Sequence, residues 1–241
     1  ARITTGHPLP PGADAVVRKE RTQHRPEQHV RFDVVPSPGQ NVRPAGEDIA
    51  AGDVVLEAGH VISPAAASLL ASVGHTQLTV AVHPRVLLLI TGSELVDATA
   101  PPGAGQIRDS NGPALALRVD AAGGRARVRR APDDTAALHD ALASAPPADL
   151  ILISGGMSVG DDDLVLHVLD QMGMELLFHG VKQRPGKPVA FGVLDDRPVL
   201  GLPGNPVAAA VCFEVYARPA LAAMLGRSTV LPALDTAVLD A

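Results

Sequence analysis

The sequence predicts an α/β protein in which a three-layer parallel sheet, covered by helices on both faces, follows small β-rich pieces. Two runs dominated by apolar residues, 86–91 and 150–153, are typical of strands buried on both faces. Strand-like and helical patterns alternate over 85–226, and strands joined through helices pair in parallel. Residues 1–45 are instead rich in proline, glycine and short β-like runs, with no helical period.

The N-terminal part is predicted to hold short strands and one helix. The strands are expected at 15–17, 30–35 and 41–43, at two places within 45–63, and at 76–82, where apolar and polar residues alternate. Ser63 followed by Pro64 predicts a helix start, because serine caps a helix and proline suits its first position. That helix is expected to end at Gly74.

The later part is predicted to contain the sheet and its helices. Strands are expected at 86–91, 125–130, 150–153 and 199–202, with further strand sequence over 174–194 that Pro185 to Pro188 interrupt. Helices are expected at 111–122, at 132–142 with Asp133 or Asp134 as cap, at 164–172, and from Asn205 until Pro219 breaks or kinks the helix.

These elements predict four parts of the chain. They are a partial β-rich domain at 1–45, a small α+β linking piece at 46–82, the α/β domain at 83–227, and the start of a truncated β domain at 228–241. The chain opens in strand-like sequence at Ala1, so we expect a cut edge there and unpaired strands before residue 45.

The composition argues against several classes of function. Aromatic residues make up 2% of the chain and the net charge is −6, which disfavours a nucleic-acid surface built on base stacking. The single cysteine, Cys212, can form no intramolecular disulfide and fits a reducing, cytoplasmic location. We find no apolar run of the ~18–20 residues that span a membrane, so we expect no membrane contact.

The stretch from Leu150 to Asp163, LILISGGMSVGDDD, carries the strongest local signal for function. A buried strand runs directly into glycines and then into three acids ahead of the next helix. Glycines let backbone approach a ligand closely, and a helix N-terminus favours anions. Because the acids repel a phosphate, the pattern predicts a divalent metal such as Mg²⁺ between them. The alternative is a tight turn and a helix whose first-turn acids match its dipole.

Polar and glycine residues follow each predicted parallel strand, at the edge where such sheets bind ligands. They are Thr91, Gly92, Ser93 and Glu94; Asp133 and Asp134; Ser154, Gly155, Gly156, Ser158 and Gly160; and Pro203, Gly204 and Asn205. Lys182, Arg184 and Lys187 supply cations, the first two on one face if 180–184 is extended. The set predicts a pocket for a phosphate-bearing ligand with a bridging metal; solvated helix caps and a charged edge strand are the alternatives.

Seven motifs cover nearly the whole chain: TTGHPLPPGADAVV, GQNVRPAGEDIAAG, TGSEL, GQIRDSN, SGGMSVGDDD, RPGKPVAFG and GLPGNPV. Through them the sequence resembles the MoeA family of molybdopterin molybdenumtransferases. The resemblance implies a molybdopterin-binding α/β domain with Mg²⁺ as cofactor and with molybdate and adenylylated molybdopterin as substrates. The implied reaction inserts molybdate with release of AMP, as the last step of molybdenum cofactor biosynthesis.

The resemblance also implies roles for single residues. The implied catalytic residues are Thr5, Asp48, Asp133, Asp163, Arg184 and Lys187, and the implied metal ligands are Glu94, Asp133 and Asp163. Arg184 stands where a lysine is common in the family. Gly180 occupies another such position, and we expect Lys182 to compensate for it.

A homodimer and a molybdopterin adenylyltransferase partner are further implications of the resemblance. The family's N-terminal segment and most of its last domain have no counterpart here, so we expect ligand binding with little turnover. Two alternatives stay open. One is molybdopterin adenylyltransferase, against which GEDI and LPGNPV argue, and the other is a non-catalytic molybdopterin-binding or scaffold module.

Overall fold

The structure is a computed structural model that describes residues 1–24, 29–157 and 164–233. The chain divides into two compact units, Ala1–Leu56 and Glu57–Ala241.

The first unit consists mainly of turns. A hairpin of β1 (Thr22–His24) and β2 (Val30–Phe32) follows a short 3₁₀ turn, Lys19–Arg21. The strands predicted at 15–17 and 41–43 do not form, and neither do those within 45–63. Glycine turns and prolines interrupt these segments. Instead of a strand ladder, the Val16 N–H donates one hydrogen bond to the Gln40 carbonyl, and the Val16 carbonyl accepts one from the Asn41 side chain.

The second unit begins with α1 (Pro64–Ser72), and the predicted cap is confirmed because the Ser63 hydroxyl accepts from the Ala66 N–H. The strand predicted at 76–82 is wrong. Its side chains are exposed, with Val82 87% exposed, and in the part of the chain that the structure describes no strand pairs with it.

The α/β elements follow in chain order. They are β3 (Arg85–Thr91), β4 (Leu95–Val96), β5 (Ile107–Arg108), α2 (Asn111–Ala121), β6 (Arg125–Ala131), α3 (Thr135–Ala143), β7 (Leu150–Ser154), α4 (Leu164–Gln171), β8 (Glu175–His179), β9 (Ala190–Leu194), β10 (Arg197–Leu202), α5 (Pro206–Cys212) and α6 (Arg218–Met224). The short strands β4 and β5 were not predicted, whereas the other elements lie within a few residues of predicted strands and helices.

Six strands form the central sheet in the order β6-β3-β7-β10-β9-β8. β6, β3, β7 and β10 are mutually parallel, as predicted, but β9 is antiparallel to both of its neighbours. The two residues between β9 and β10, Asp195 and Asp196, have φ of 49° and 60°. A two-residue turn of this left-handed kind joins only antiparallel strands, which explains the departure from an all-parallel sheet.

Helices cover both faces of the sheet, which confirms the three-layer prediction. Val86, Leu88 and Ile90 of β3 pack in one buried cluster that includes residues of α2 and α5. Leu87 and Leu89 pack in the other cluster, which includes residues of α3 and α4. Alternate residues of one strand therefore fill the two sides of the core.

The last helix is continuous from Pro206 to Met224 and corrects two predictions. Pro219 was expected to break or kink this helix, and the break does not occur: a π turn over Phe213–Ala217 precedes the proline and the helix continues through it. By length and composition alone this 19-residue stretch could cross a membrane, contrary to the expectation of no such run. Its buried residues, among them Phe213 and Leu221, belong to the core of the α/β unit, as in a core helix.

Candidate functional site

The carboxyl ends of β3, β7 and β10 meet through their backbones. A side chain on Gly155 would overlap the carbonyl oxygen of Thr91, and one on Gly204 would stand 3.6 Å from the Gly155 Cα. The Gly155 N–H donates to the Leu202 carbonyl at 3.3 Å. Gly155 has φ of 103°, so both its conformation and its surroundings require glycine. Three predicted strand-end turns therefore contact one another closely, with Gly156 and Gly204 exposed at their surface.

Asp133 joins the end of β6 to the turn after β3. Its carboxylate accepts from the Thr91 hydroxyl at 2.6 Å and from the Ser93 N–H at 3.1 Å, while the Asp133 N–H donates to the Ser93 hydroxyl at 3.0 Å. Asp134 caps α3 by accepting from the Ala137 N–H. Asp134 is therefore the cap of α3, whereas Asp133 stabilises the turn after β3.

Asn111, at the start of α2, bridges two of the turns and was missed in the sequence. Its side-chain amide donates to the Ser154 hydroxyl at 3.0 Å and to the Gly204 carbonyl at 2.8 Å. Ser154 and Thr91 are buried, 1% and 3% exposed, so their side chains fix the turns from inside. The available signal was the position of Asn111 in GQIRDSN, directly at a helix start.

An ion pair between the buried Asp109 and the partly exposed Arg130 stabilises the segment that leads to Asn111. The Asp109 side chain is fully buried and accepts from Arg130 at 2.8 Å and from the Gly112 N–H at 2.8 Å. Arg130 also binds Asp97 at 2.7 Å. The pKa of Asp97 is lowered to about 2, first by the Thr99 backbone N–H and hydroxyl and then by Arg130. Sequence reading did not predict this network.

The predicted cations lie in a loop, 180–189, at the same edge of the sheet. Ala190, the first residue of β9, pairs with both Gly201 and His179, which places the loop beside the end of β10. We call residues 180–189 the cationic loop. Its three basic side chains are exposed and form no ion pair with any described residue: Lys182, Arg184 and Lys187.

The extended strand predicted for 180–184 does not form. Gly180 has φ of 83° and the loop bends, so the argument that Lys182 and Arg184 share one strand face does not hold. A lysine at position 180 would adopt a strained backbone conformation here, which gives a physical reason for glycine at that position.

Two of the three predicted metal ligands flank the turn after β3. Asp133 contacts the Ser93 N–H, and a Glu94 carboxylate oxygen lies 2.8 Å from where a Gly92 side chain would begin. Within residues 1–24, 29–157 and 164–233, no group of three His, Cys, Asp or Glu side chains has metal-site geometry. The third predicted ligand, Asp163, lies outside the described residues, as do Ser158 and Gly160.

The other predicted site residues have separate surroundings. The Asn205 side-chain oxygen caps α5 by accepting from the Val207 and Ala208 N–H groups, and Pro203 precedes it in the same turn. Thr5 and Asp48 belong to the first unit, where both are exposed and Asp48 accepts from Arg43 at 3.0 Å.

The parallel strands and the polar turns at their carboxyl ends are typical of α/β domains that bind ligands at this edge of the sheet. Residues 87–223 match the family described as probable molybdopterin binding domain, and residues 1–74 match the MoeA N-terminal region, domains I and II. The chain belongs to this molybdopterin-binding family, with the MoeA-type region before its α/β domain. The resemblance to MoeA proteins is thereby confirmed.

Curated relatives carry a more specific name. The chain is 38% identical over 228 residues to "Molybdopterin molybdenumtransferase" of Haemophilus influenzae, covering 94% of this chain and 56% of the relative. It is 38% identical over 232 residues to "Molybdopterin molybdenumtransferase 2" of Mycobacterium tuberculosis, covering 93% and 57%. The chain thus spans little more than half the length of these relatives.

A solved structure, a molybdopterin biosynthesis moeA protein from Pyrococcus horikoshii OT3, shares the fold with a TM-score of 0.75 at 30% identity. That alignment covers 95% of this chain and 55% of the other. The matches reach beyond the α/β domain into the N-terminal region, and so do not favour the adenylyltransferase or scaffold alternatives.

Proposed function

We propose that this chain binds adenylylated molybdopterin and inserts molybdate into it with release of AMP, as in the last step of molybdenum cofactor biosynthesis. The observation that carries the proposal is the meeting of three backbone turns, the Asp133 carboxylate and the cationic loop at one sheet edge. The names of the curated relatives support the same reaction.

The pterin is proposed to lie on the strand-end turns. Exposed backbone at Gly156 and Gly204 offers N–H and carbonyl groups that a flat heterocycle can approach closely. The buried Gly155 is a further member of the proposed cradle, in which it lets the strand-end turns meet. The remaining members of the proposed cradle are Thr91, Gly92, Ser93, Ser154, Ser158, Gly160, Pro203 and Asn205. The side chains of Thr91 and Ser154 hold the turns in shape, because both are buried and hydrogen-bonded.

The anionic groups are proposed to lie against the cationic loop. Arg184 and Lys187 would bind molybdate or the pterin's terminal phosphate, since a guanidinium pairs with two oxygens at once and an ammonium acts as a point charge. Lys182 adds a third exposed positive charge. Molybdate held there would meet the dithiolene sulfurs, which would replace oxygens of molybdate that leave as water after protonation. A water molecule would add at the phosphoanhydride as that bond breaks and AMP leaves.

Mg²⁺ is proposed to bind at Glu94, Asp133 and Asp163. Carboxylate oxygens are the ligands that Mg²⁺ prefers, and the two described acids fit this requirement beside one turn. Asp133 keeps free lone pairs, because each of its oxygens accepts a single hydrogen bond from the turn. When bound, the ion would neutralise charge at the phosphoanhydride.

Several implications of the resemblance remain proposals. Thr5 and Asp48 are proposed as catalytic residues, and the three boundaries between the four predicted parts of the chain stay predictions. A homodimer, a molybdopterin adenylyltransferase partner and a cytoplasmic location follow from the family resemblance and from the single cysteine.

The experiment that tests the proposal follows binding and turnover separately. Adenylylated molybdopterin is titrated into the chain by calorimetry, and AMP release is then measured after addition of molybdate. We expect saturable binding that Lys187→Ala largely retains, and a low rate of molybdate-dependent AMP release that falls further in that variant. A chain that binds no adenylylated molybdopterin would refute the proposal.

A further inference from the structure

The cationic loop is anchored from beneath by a polar cluster of Gln183, Cys212 and Tyr216, which we call the loop anchor. Gln183 is half-buried between the exposed Lys182 and Arg184. Its side-chain oxygen accepts from the Tyr216 hydroxyl at 2.9 Å, and its amide donates to the Pro185 carbonyl at 2.9 Å. One side chain therefore ties the loop backbone to the last helix.

Gly186 and Cys212 complete the anchor by close packing. Gly186 is buried with φ of 107°, and a side chain there would stand 2.6 Å from the Gln183 amide nitrogen and overlap the Cys212 sulfur. The sulfur donates weakly to the Gly186 carbonyl at 3.8 Å. Burial raises the pKa of the Cys212 thiol, so it is an uncharged packing partner. The cationic loop therefore packs against the last helix too closely to accept a side chain at position 186.

The π turn lets the last helix serve two neighbours. Tyr216 reaches the loop, whereas Glu214 pairs with Arg118 of α2 at 2.6 Å and with Arg218. Both residues lie within the same five-residue turn, Phe213–Ala217. Glu214 thus offers a matched control, since its substitution disturbs the same turn without touching the loop anchor.

We propose that Gln183 and Tyr216 are positioning residues that set the affinity of the cationic loop for tetrahedral oxyanions such as molybdate. The inference rests on the proposed function, in which Lys182, Arg184 and Lys187 bind the anion. Three like charges on one loop repel each other and lose side-chain entropy when they converge on a ligand. A backbone already fixed by the anchor lowers that cost, as preorganisation does in general.

The test compares Tyr216→Phe, which removes only the hydroxyl, with Glu214→Gln. Molybdate is titrated by calorimetry at low salt, and amide exchange is followed at 181–189. We expect Tyr216→Phe to bind molybdate about threefold to tenfold more weakly, the effect of one hydrogen bond, and to exchange faster in the loop alone. Gln183→Met, which keeps the length but loses both polar atoms, should behave likewise. Glu214→Gln should match the native chain in both readouts.

The outcomes separate this inference from the proposed function. If Lys187→Ala weakens molybdate binding while Tyr216→Phe and Gln183→Met do not, the loop binds the anion but the anchor does not position it. If Lys187→Ala binds molybdate as the native chain does, both this inference and the anion role of the loop are wrong. If Glu214→Gln loses as much molybdate affinity as Tyr216→Phe, the loop anchor contributes only to general stability, and the inference is also wrong.

Discussion

Replacement of Gly155 by alanine tests how tightly the strand-end turns are packed. The new Cβ would overlap the Thr91 carbonyl oxygen and lie 3.2 Å from its carbonyl carbon, so one of two buried backbones must move. Such overpacking costs about 1–3 kcal/mol. The left-handed backbone, with φ of 103°, adds about 1–3 kcal/mol of strain. We therefore expect Gly155→Ala to lower the free energy of unfolding by about 2–6 kcal/mol.

Gly173→Ala is the matched control for this prediction. Gly173 has φ of 86°, and a Cβ at this position would have no heavy atom within 4 Å, so the variant carries the backbone strain without the collision. A difference of about 2 kcal/mol between the two variants corresponds to about 4–8 °C in Tm for a domain of this size. Thermal and urea unfolding measure it. Equal losses in the two variants would refute the close approach of Gly155 to Thr91.

Three other perturbations follow from the site. Asn111→Ala removes both bridging hydrogen bonds and should cost about 1–3 kcal/mol of stability and weaken binding of adenylylated molybdopterin, whereas unchanged urea unfolding would contradict the bridge. The folded-state pKa of Asp97, about 2, is below its unfolded value, so its stabilisation is complete above about pH 4 and is lost as pH falls towards 2. Asp97→Asn should flatten this part of a Tm–pH curve, and a curve parallel to that of the native chain would contradict the assignment. Glu94→Gln should weaken Mg²⁺-dependent ligand binding about tenfold in calorimetry, and binding indifferent to Mg²⁺ would contradict the metal site.

The parts of the fold that were predicted correctly depend on local sequence. The buried strands β3 and β7 show continuous apolar runs, and Ser63 caps α1 through a hydrogen bond to a residue only three positions away. The strand predicted at 76–82 failed because alternation shows only that a segment could pair. The direction of β9 was missed because it depends on the backbone of two turn residues, Asp195 and Asp196, that the apolar pattern does not report.

The site was only partly predictable, for a related reason. The carboxyl ends of parallel strands must share an edge, so the proximity of Thr91, Asp133 and Gly155 followed from the predicted topology. Asn111 was missed because its partners lie 43 and 93 residues away in sequence. The collision of a Gly155 side chain with Thr91 was not predicted, because it depends on the distance between two turns that are far apart in sequence.

The central claim is that molybdopterin binds at the carboxyl edge of the sheet, and amide exchange with and without adenylylated molybdopterin tests it most directly. We predict ligand-dependent protection in the turns 91–94, 154–157 and 203–205 and in the cationic loop. The opposite edge holds a small cavity lined by Arg85, Arg127 and Pro146, among others, and should be unaffected. Protection confined to that opposite edge, with none at the strand-end turns, would contradict the account.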